Sequence, residues 1–150
     1  MRVLLRMLVL LVAAAVAGFG TNAVRGTVDP GGNDPELLKR DVERIAIGDA
    51  AVRTDDARTL FLDVRPRSDY EAGRIRGAVS FSADDFAAAY AEIRDFLAPD
   101  VQIVVYGDAT LPAVRGAEFL VARGHSVRVL DGGWRGWQQR GFPVEGAASP

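Results

Sequence analysis

The chain contains no cysteine. That absence excludes disulfides, thiolate metal sites, thiol-linked lipids and every mechanism that proceeds through a cysteine nucleophile. Histidine is nearly as scarce, with His125 alone, so no His-x-x-x-His metal pair exists. No Gly-x-Ser-x-Gly elbow is present to position a nucleophile for that one imidazole, and a Ser-His-Asp relay is not signalled. Lysine is limited to Lys39; the remaining basic residues are arginines, and 18 bases stand against 20 acids. Two of those bases, Arg2 and Arg6, lie at the amino terminus, which leaves the rest of the chain acidic. Nucleic acid is therefore not an expected partner, because binding a phosphate backbone needs clustered cations that release counterions. No metal or cofactor motif is found: carboxylates are scattered, and no G-x-G-x-x-G follows a strand pattern.

What is present is the makeup of a folded protein. With 49% hydrophobic and 25% charged residues over 150 positions, intrinsic disorder and collagen-like repeats are disfavoured. Residues Met7 to Gly20 (MLVLLVAAAVAGFG) carry no charge and follow Arg2 and Arg6, the order found in an export signal. Counted from Val3 to Val24, the stretch would rise about 33 Å as a helix, long enough to cross a bilayer if Arg6 snorkels to the headgroups. Ala15-Val16-Ala17 also offers a small-residue cleavage site. The expectation is a hydrophobic helix within residues 1–24 that anchors the chain, with secretion after cleavage as the alternative. In either case the remaining chain lies outside the cytoplasm, by the positive-inside rule.

Residues 25–34 (RGTVDPGGND) concentrate Gly, Pro, Asn and Asp and read as a linker, followed by one domain over 35–144 and a tail over 145–150. Within the domain, Thr59 to Val64, Val79 to Phe81, Val101 to Tyr106 and Val127 to Leu130 read as strands. Helical patterns occupy Ile47 to Thr54, Ala83 to Leu97, Leu111 to Arg123 and Trp134 to Arg140. In the second of these, Phe86, Tyr90, Ile93 and Leu97 form one apolar stripe. Apolar strands separated by helices predict an α/β fold, a parallel sheet with helices on both faces. Ligands of such sheets bind beyond the carboxyl ends of the strands. The turn Gly107 to Thr110 leaves a buried strand and opens a helix, so its amides are candidates for holding an anion. Thr110 is placed to cap that helix, Pro112 suits its first turn, and Gly107 can supply a positive φ.

Three segments carry a resemblance. FLDVRPRSDYEAGRIRGAV (Phe61 to Val79), IVVYGDATLPAVRGAEFL and GHSVRVLDGGWRGWQQRGFPV (Gly124 to Val144) resemble, in order, the strand, loop and closing Gly-Gly-x-x-x-Trp signatures of the rhodanese-like family. The resemblance implies a sulfurtransferase fold, in which the loop after the VVY-type strand begins with a cysteine that becomes a persulfide cradled by backbone amides. Gly107 stands at that position here, Pro112 stands where an anion-binding arginine is usual, and Arg74 replaces the histidine of the Gly-His-Ile motif. Sulfur transfer requires a thiolate. The expectation is thus a degenerate member without sulfurtransferase activity.

The candidate binding residues are those of the degenerate loop, Gly107, Asp108, Ala109, Thr110, Leu111 and Pro112, with Asp63, Arg65 and Arg74 on the cleft rim. Leu111 is the residue whose side chain decides whether the loop cavity is open. Asp63 is expected to accept hydrogen bonds from loop amides or to pair with an arginine such as Arg65 or Arg74, and Arg74 and Arg76 are candidates to supply the missing positive charge. His125 falls in a surface turn, and of Trp134 and Trp137 one is expected to pack on the sheet with the other partly exposed. The function expected is a membrane-tethered binding or regulatory module for a partner protein or a small anion. The alternative is a repurposed loop with weak hydrolase activity, using Asp63 or Asp108 as a base with a perturbed pKa in a closed pocket.

Overall fold

The computed structural model describes residues 42–146. The expected hydrophobic helix of residues 1–24 and the linker of 25–34 lie outside the described residues. No helix among the described residues is long and apolar enough to cross a membrane.

Five strands form a parallel sheet in the order β1-β6-β5-β2-β4. They are β1 (Arg44–Ile45), β2 (Thr59–Asp63), β4 (Val79–Ser80), β5 (Gln102–Tyr106) and β6 (Ser126–Leu130). A separate antiparallel ribbon pairs β3 (Arg74–Ile75) with β7 (Val144–Glu145), so Glu145 belongs to the fold. The helices are α1 (Ile47–Ala51), α2 (Arg67–Ala72), α3 (Phe86–Ile93), α4 (Thr110–Val121) and α5 (Gly133–Gln139). A short 3-10 turn, Arg94–Phe96, extends α3.

The central register sets Asp63 opposite Tyr106, so the two central strands β2 and β5 end together and their following loops share one end of the sheet. Side chains alternate across it, as strand geometry requires. Leu62, Ile103 and Val105 join Val114 and Leu120 under α3 and α4. Phe61, Val104 and Tyr106 join Ile47, Trp134 and Trp137 under α1 and α5. Complete burial of such side chains contributes about 1.5–3 kcal/mol each, and both faces are covered, as the β-branched strands predict. Both tryptophans are buried, Trp134 at 7% and Trp137 at 0% exposure, which corrects the expectation of one partly exposed ring. Two extra contacts explain the second: Trp137 Nε1 donates to the Pro143 carbonyl at 3.0 Å, and its ring meets Phe61 edge-on.

Helix α3 starts later than the apolar pattern suggests because Asp85 caps it, accepting from the N–H groups of Ala87 and Ala88. Helix α2 has no buried residue, and strands β1, β3 and β7 have two residues each. None of these four elements carries a periodic apolar signal.

Candidate functional site

The site is built where β2, β5 and β6 end. Asp63 closes β2 and is fully buried. Its Oδ1 accepts from Arg65 Nε and from the Arg65 backbone N–H, both at 3.0 Å. Arg65 Nη2 donates to Oδ2 at 2.6 Å and to the Gly73 carbonyl at 2.6 Å. The guanidinium, 5% exposed, also lies 4.3 Å from the centre of the Trp134 ring. Burial alone would lower the Arg65 pKa; the hydrogen bonds and charge of Asp63 outweigh it and raise the value above that of an ordinary arginine. Burial also pushes the Tyr106 phenol far up, reinforced by the adjacent Asp63 charge. The Tyr106 hydroxyl accepts from the Ile75 N–H at 3.1 Å, tying β5 to the β3–β7 ribbon.

Asp63 therefore holds a guanidinium, and both of its oxygens are engaged in doing so. It cannot approach a substrate as a general base, which removes one of the two carboxylates considered for hydrolysis. Asp108 is exposed at the loop, so the closed pocket that such a base needs is not around it either.

Arg74, expected on the cleft rim, is turned to the ribbon. It donates to Glu145 at 2.9 Å and lies over Tyr70. Arg76 donates to Asp55 at 2.6 Å. Neither arginine supplies charge to the loop. His125 sits at the other end of β6, its Nε2 3.0 Å from the Tyr90 hydroxyl.

Gly107 is buried, and its carbonyl accepts from the Trp134 N–H at 3.0 Å. Its φ is not positive, so the loop does not require glycine for backbone conformation. Space is the constraint instead: a Cβ here would lie 2.8 Å from Val64 Cγ2. Across the cavity, Gly132 and Gly133 have φ of 72° and 52°, and a Cβ on Gly133 would strike the Gly107 carbonyl oxygen. The Gly-Gly pair thus lets the start of α5 close against the loop.

Helix α4 begins at Thr110 with Ala109 as its N-cap and no side-chain cap bond. Thr110 is the first helical residue and not the cap that was expected, because the extended residue is one position earlier, Ala109 at φ −123° and ψ 152°. Among the described residues, no acceptor is bonded to the N–H groups of Asp108, Ala109 or Thr110. A cavity of about 210 Å³ opens there, lined by Gly107, Asp108, Ala109, Thr110, Gly132 and Gly133 together with Arg44. Arg44 reaches across to Asp131 at 3.3 Å. Leu111 and Pro112 do not belong to this cavity. They line a different one, of about 660 Å³, with Phe86 and Phe119, since the helix turn carries their side chains toward α3. The loop cavity is consequently open.

Beside it, sharing Asp108, lies a second cavity of about 380 Å³ walled by Arg65, Asp69, Gly73, Trp134, Arg135 and Gln138. Sequence reasoning missed Asp69, Arg135 and Gln138, which lie on exposed helix faces without a motif. The closure by Trp134 had a signal in the Gly-Gly-x-x-x-Trp string, which contains that residue, but its partner was not legible.

The profile of the rhodanese-like domain family matches residues 47–140. Among curated proteins, an HTH-type transcriptional regulator of Mycobacterium tuberculosis is 32% identical over 98 residues, covering 64% of this chain and 42% of that protein. A thiosulfate sulfurtransferase of Escherichia coli is 38% identical over 52 residues, covering 34% of this chain and 12% of that protein. The chain spans less than half the length of either. Among solved structures, the Alr3790 protein of Anabaena superposes with a TM-score of 0.62 at 27% identity, over 69% of this chain and 82% of that one. The BH2092 protein of Bacillus halodurans superposes with a TM-score of 0.63 at 21% identity, over 79% and 87%, a likeness of fold.

Proposed function

The chain belongs to the rhodanese-like domain family, and from that premise we propose that it is a membrane-tethered binding module that does not transfer sulfur. The observation that carries the reading is Gly107: the loop backbone is held in place while the position expected to bear the sulfur has no side chain. With no cysteine anywhere in the chain, no neighbouring segment can supply a thiolate, and oxygen nucleophiles cannot form a persulfide.

What remains is a set of hydrogen-bond donors. The amides of Asp108, Ala109 and Thr110 open onto a cavity whose one cation among the described residues, Arg44, is directed to Asp131, and whose lining includes the Asp108 carboxylate. That balance favours neutral acceptors, such as the main-chain carbonyls of a partner protein, over a small free dianion, which would meet Asp108 without a compensating charge. The partner is accordingly a protein segment, with a small anion the weaker candidate. The names of the relatives, a sulfurtransferase and a transcriptional regulator, support placing this domain type in regulatory as well as enzymatic settings.

The test is an assay of the full chain with thiosulfate as donor and cyanide as acceptor. No turnover above a heat-killed control is expected, and turnover would overturn the reading. Mass spectrometry of the membrane fraction tests the tether: peptides from Met1 to Ala17 are expected to be retained, and their loss would favour the secreted form.

A further inference from the structure

The cavity of about 380 Å³ beside the loop is bounded by segments distant in sequence. Helix α2 brings Asp69, helix α5 brings Trp134, Arg135 and Gln138, and the loop after β5 brings Asp108. Arg65 completes the wall, and although it is only 5% exposed it has a nitrogen to spare. Its Nε and Nη2 are used by Asp63 and the Gly73 carbonyl, whereas Nη1 has no hydrogen-bond partner among the described residues. Nη1 is not sealed in the interior either, because the fully buried side-chain polar atom without a partner among those residues is Arg53 Nε. A charged donor in a fixed orientation therefore faces the space that Arg65 walls. It calls for an acceptor.

The exposed charges around that donor are free and of both signs. Among the described residues, the side chains of Asp69, Asp108 and Arg135 make no hydrogen bond or ion pair, although all three border this one cavity. Other charges nearby cancel in pairs: Asp63 with Arg65, Arg74 with Glu145 at 2.9 Å and Arg67 with Glu71 at 3.0 Å. Asp108 is near enough for its charge to act on Arg65, yet the two do not bond. A simple anion would meet two free carboxylates here, and a simple cation would meet Arg135 and the open Nη1. A molecule with both signs on one carbon satisfies both sets. Ala72 and Val144 add an apolar stretch of wall for the rest of it.

We infer that this cavity binds a free α-amino acid with an apolar side chain, its carboxylate taken by Arg65 Nη1 and Arg135 and its ammonium by Asp69 and Asp108. The inference stands apart from the loop reading, because Asp69 and Arg135 border this cavity and not the loop cavity.

The test titrates the isotope-labelled full chain with L-leucine to about 10 mM, enough to populate a complex with a Kd near 1 mM. Saturable amide shifts at Gly73, Arg135 and Gln138 are expected, and their absence would overturn the site. Isocaproate, which lacks the ammonium of leucine, and isopentylamine, which lacks its carboxylate, are each expected to bind at least about ten-fold more weakly. Either one binding as well as leucine would overturn the need for both charges. Asp69→Asn is expected to weaken leucine about ten-fold and isocaproate not at all, and Arg135→Gln to weaken both. Both positions are exposed, so the fold persists, and unchanged leucine affinity in the two variants would overturn the assignment. N-acetylleucine binding as tightly as leucine would mean that the carboxyl terminus of a peptide is held instead, which overturns the free amino acid.

Discussion

The Asp63–Arg65 pair and the Gly107–Thr110 loop lie at the same end of the sheet and are fixed by different physics. The pair is buried charge. Each member is tolerable inside the protein only while the other is present, so losing either strands an ion in a low-dielectric interior. The loop is held by its backbone, through the Trp134 N–H and the space left by Gly133, and its side chains support little of the fold. Chemistry located on such a loop can disappear while the scaffold persists. A buried polar hub is therefore a record of stability, and only the loop side chains speak to catalysis.

The largest test of that contrast is Arg65→Ala, expected to cost about 3–5 kcal/mol in denaturant unfolding because Asp63 is left buried and unpaired. A loss under about 1 kcal/mol, the range of exposed pairs, would break the comparison. Next comes Gly107→Cys, which restores the sulfur-bearing residue type. Its Cβ meets Val64 Cγ2 at 2.8 Å, and overpacking of this kind costs about 1–3 kcal/mol. Adding Val64→Ala is expected to relieve the clash and to speed thiol labelling, while Gly107→Cys as stable as wild type would show that Val64 moves freely.

A pH series sharpens the role of the hub. The folded state keeps Tyr106 protonated well above the ordinary tyrosine value, whereas the unfolded chain ionises it near pH 10. The unfolded state then binds fewer protons than the folded one, so stability falls as pH rises above about 10, by up to about 1.4 kcal/mol per pH unit. Below that pH the contribution is fully present. Tyr106→Phe is expected to remove this part of the alkaline slope; an unchanged slope would place its origin elsewhere. The smallest effect belongs to Asp108→Ala, within about 0.5 kcal/mol in unfolding as for other exposed sites, with binding of acceptor ligands at the loop strengthened. A large loss of stability would show that the loop side chains do support the fold.

Much of the fold was legible because long buried strands and striped helices repeat their apolar residues. The strand expected over Val101 to Tyr106 and the helix expected over Leu111 to Arg123 rest on that alone, and the structure has them at Gln102–Tyr106 and Thr110–Val121. Helix α2, with no buried face, and the two-residue strands depend on contacts made by distant segments. At the site, the sequence allows Asp63 either Arg65 or Arg74 as a partner, and the structure pairs it with Arg65 and gives Arg74 to Glu145. Leu111 and Pro112 adjoin the loop in sequence but line the cavity beside α3, because sequence adjacency does not say which way a helix turns its first side chains.

By itself the sequence determined that this chain holds no cysteine sulfur to carry a persulfide, since composition is a property of the chain in any conformation. It also determined the alternation of strands and helices, through local periodicity. Only the tertiary structure decided that the loop cavity stands open, that Gly107 is confined by Val64 and not by a strained φ, and that Asp63 is occupied. Those are distances between residues far apart in the chain, set by how two packed faces come together, and no local pattern encodes them.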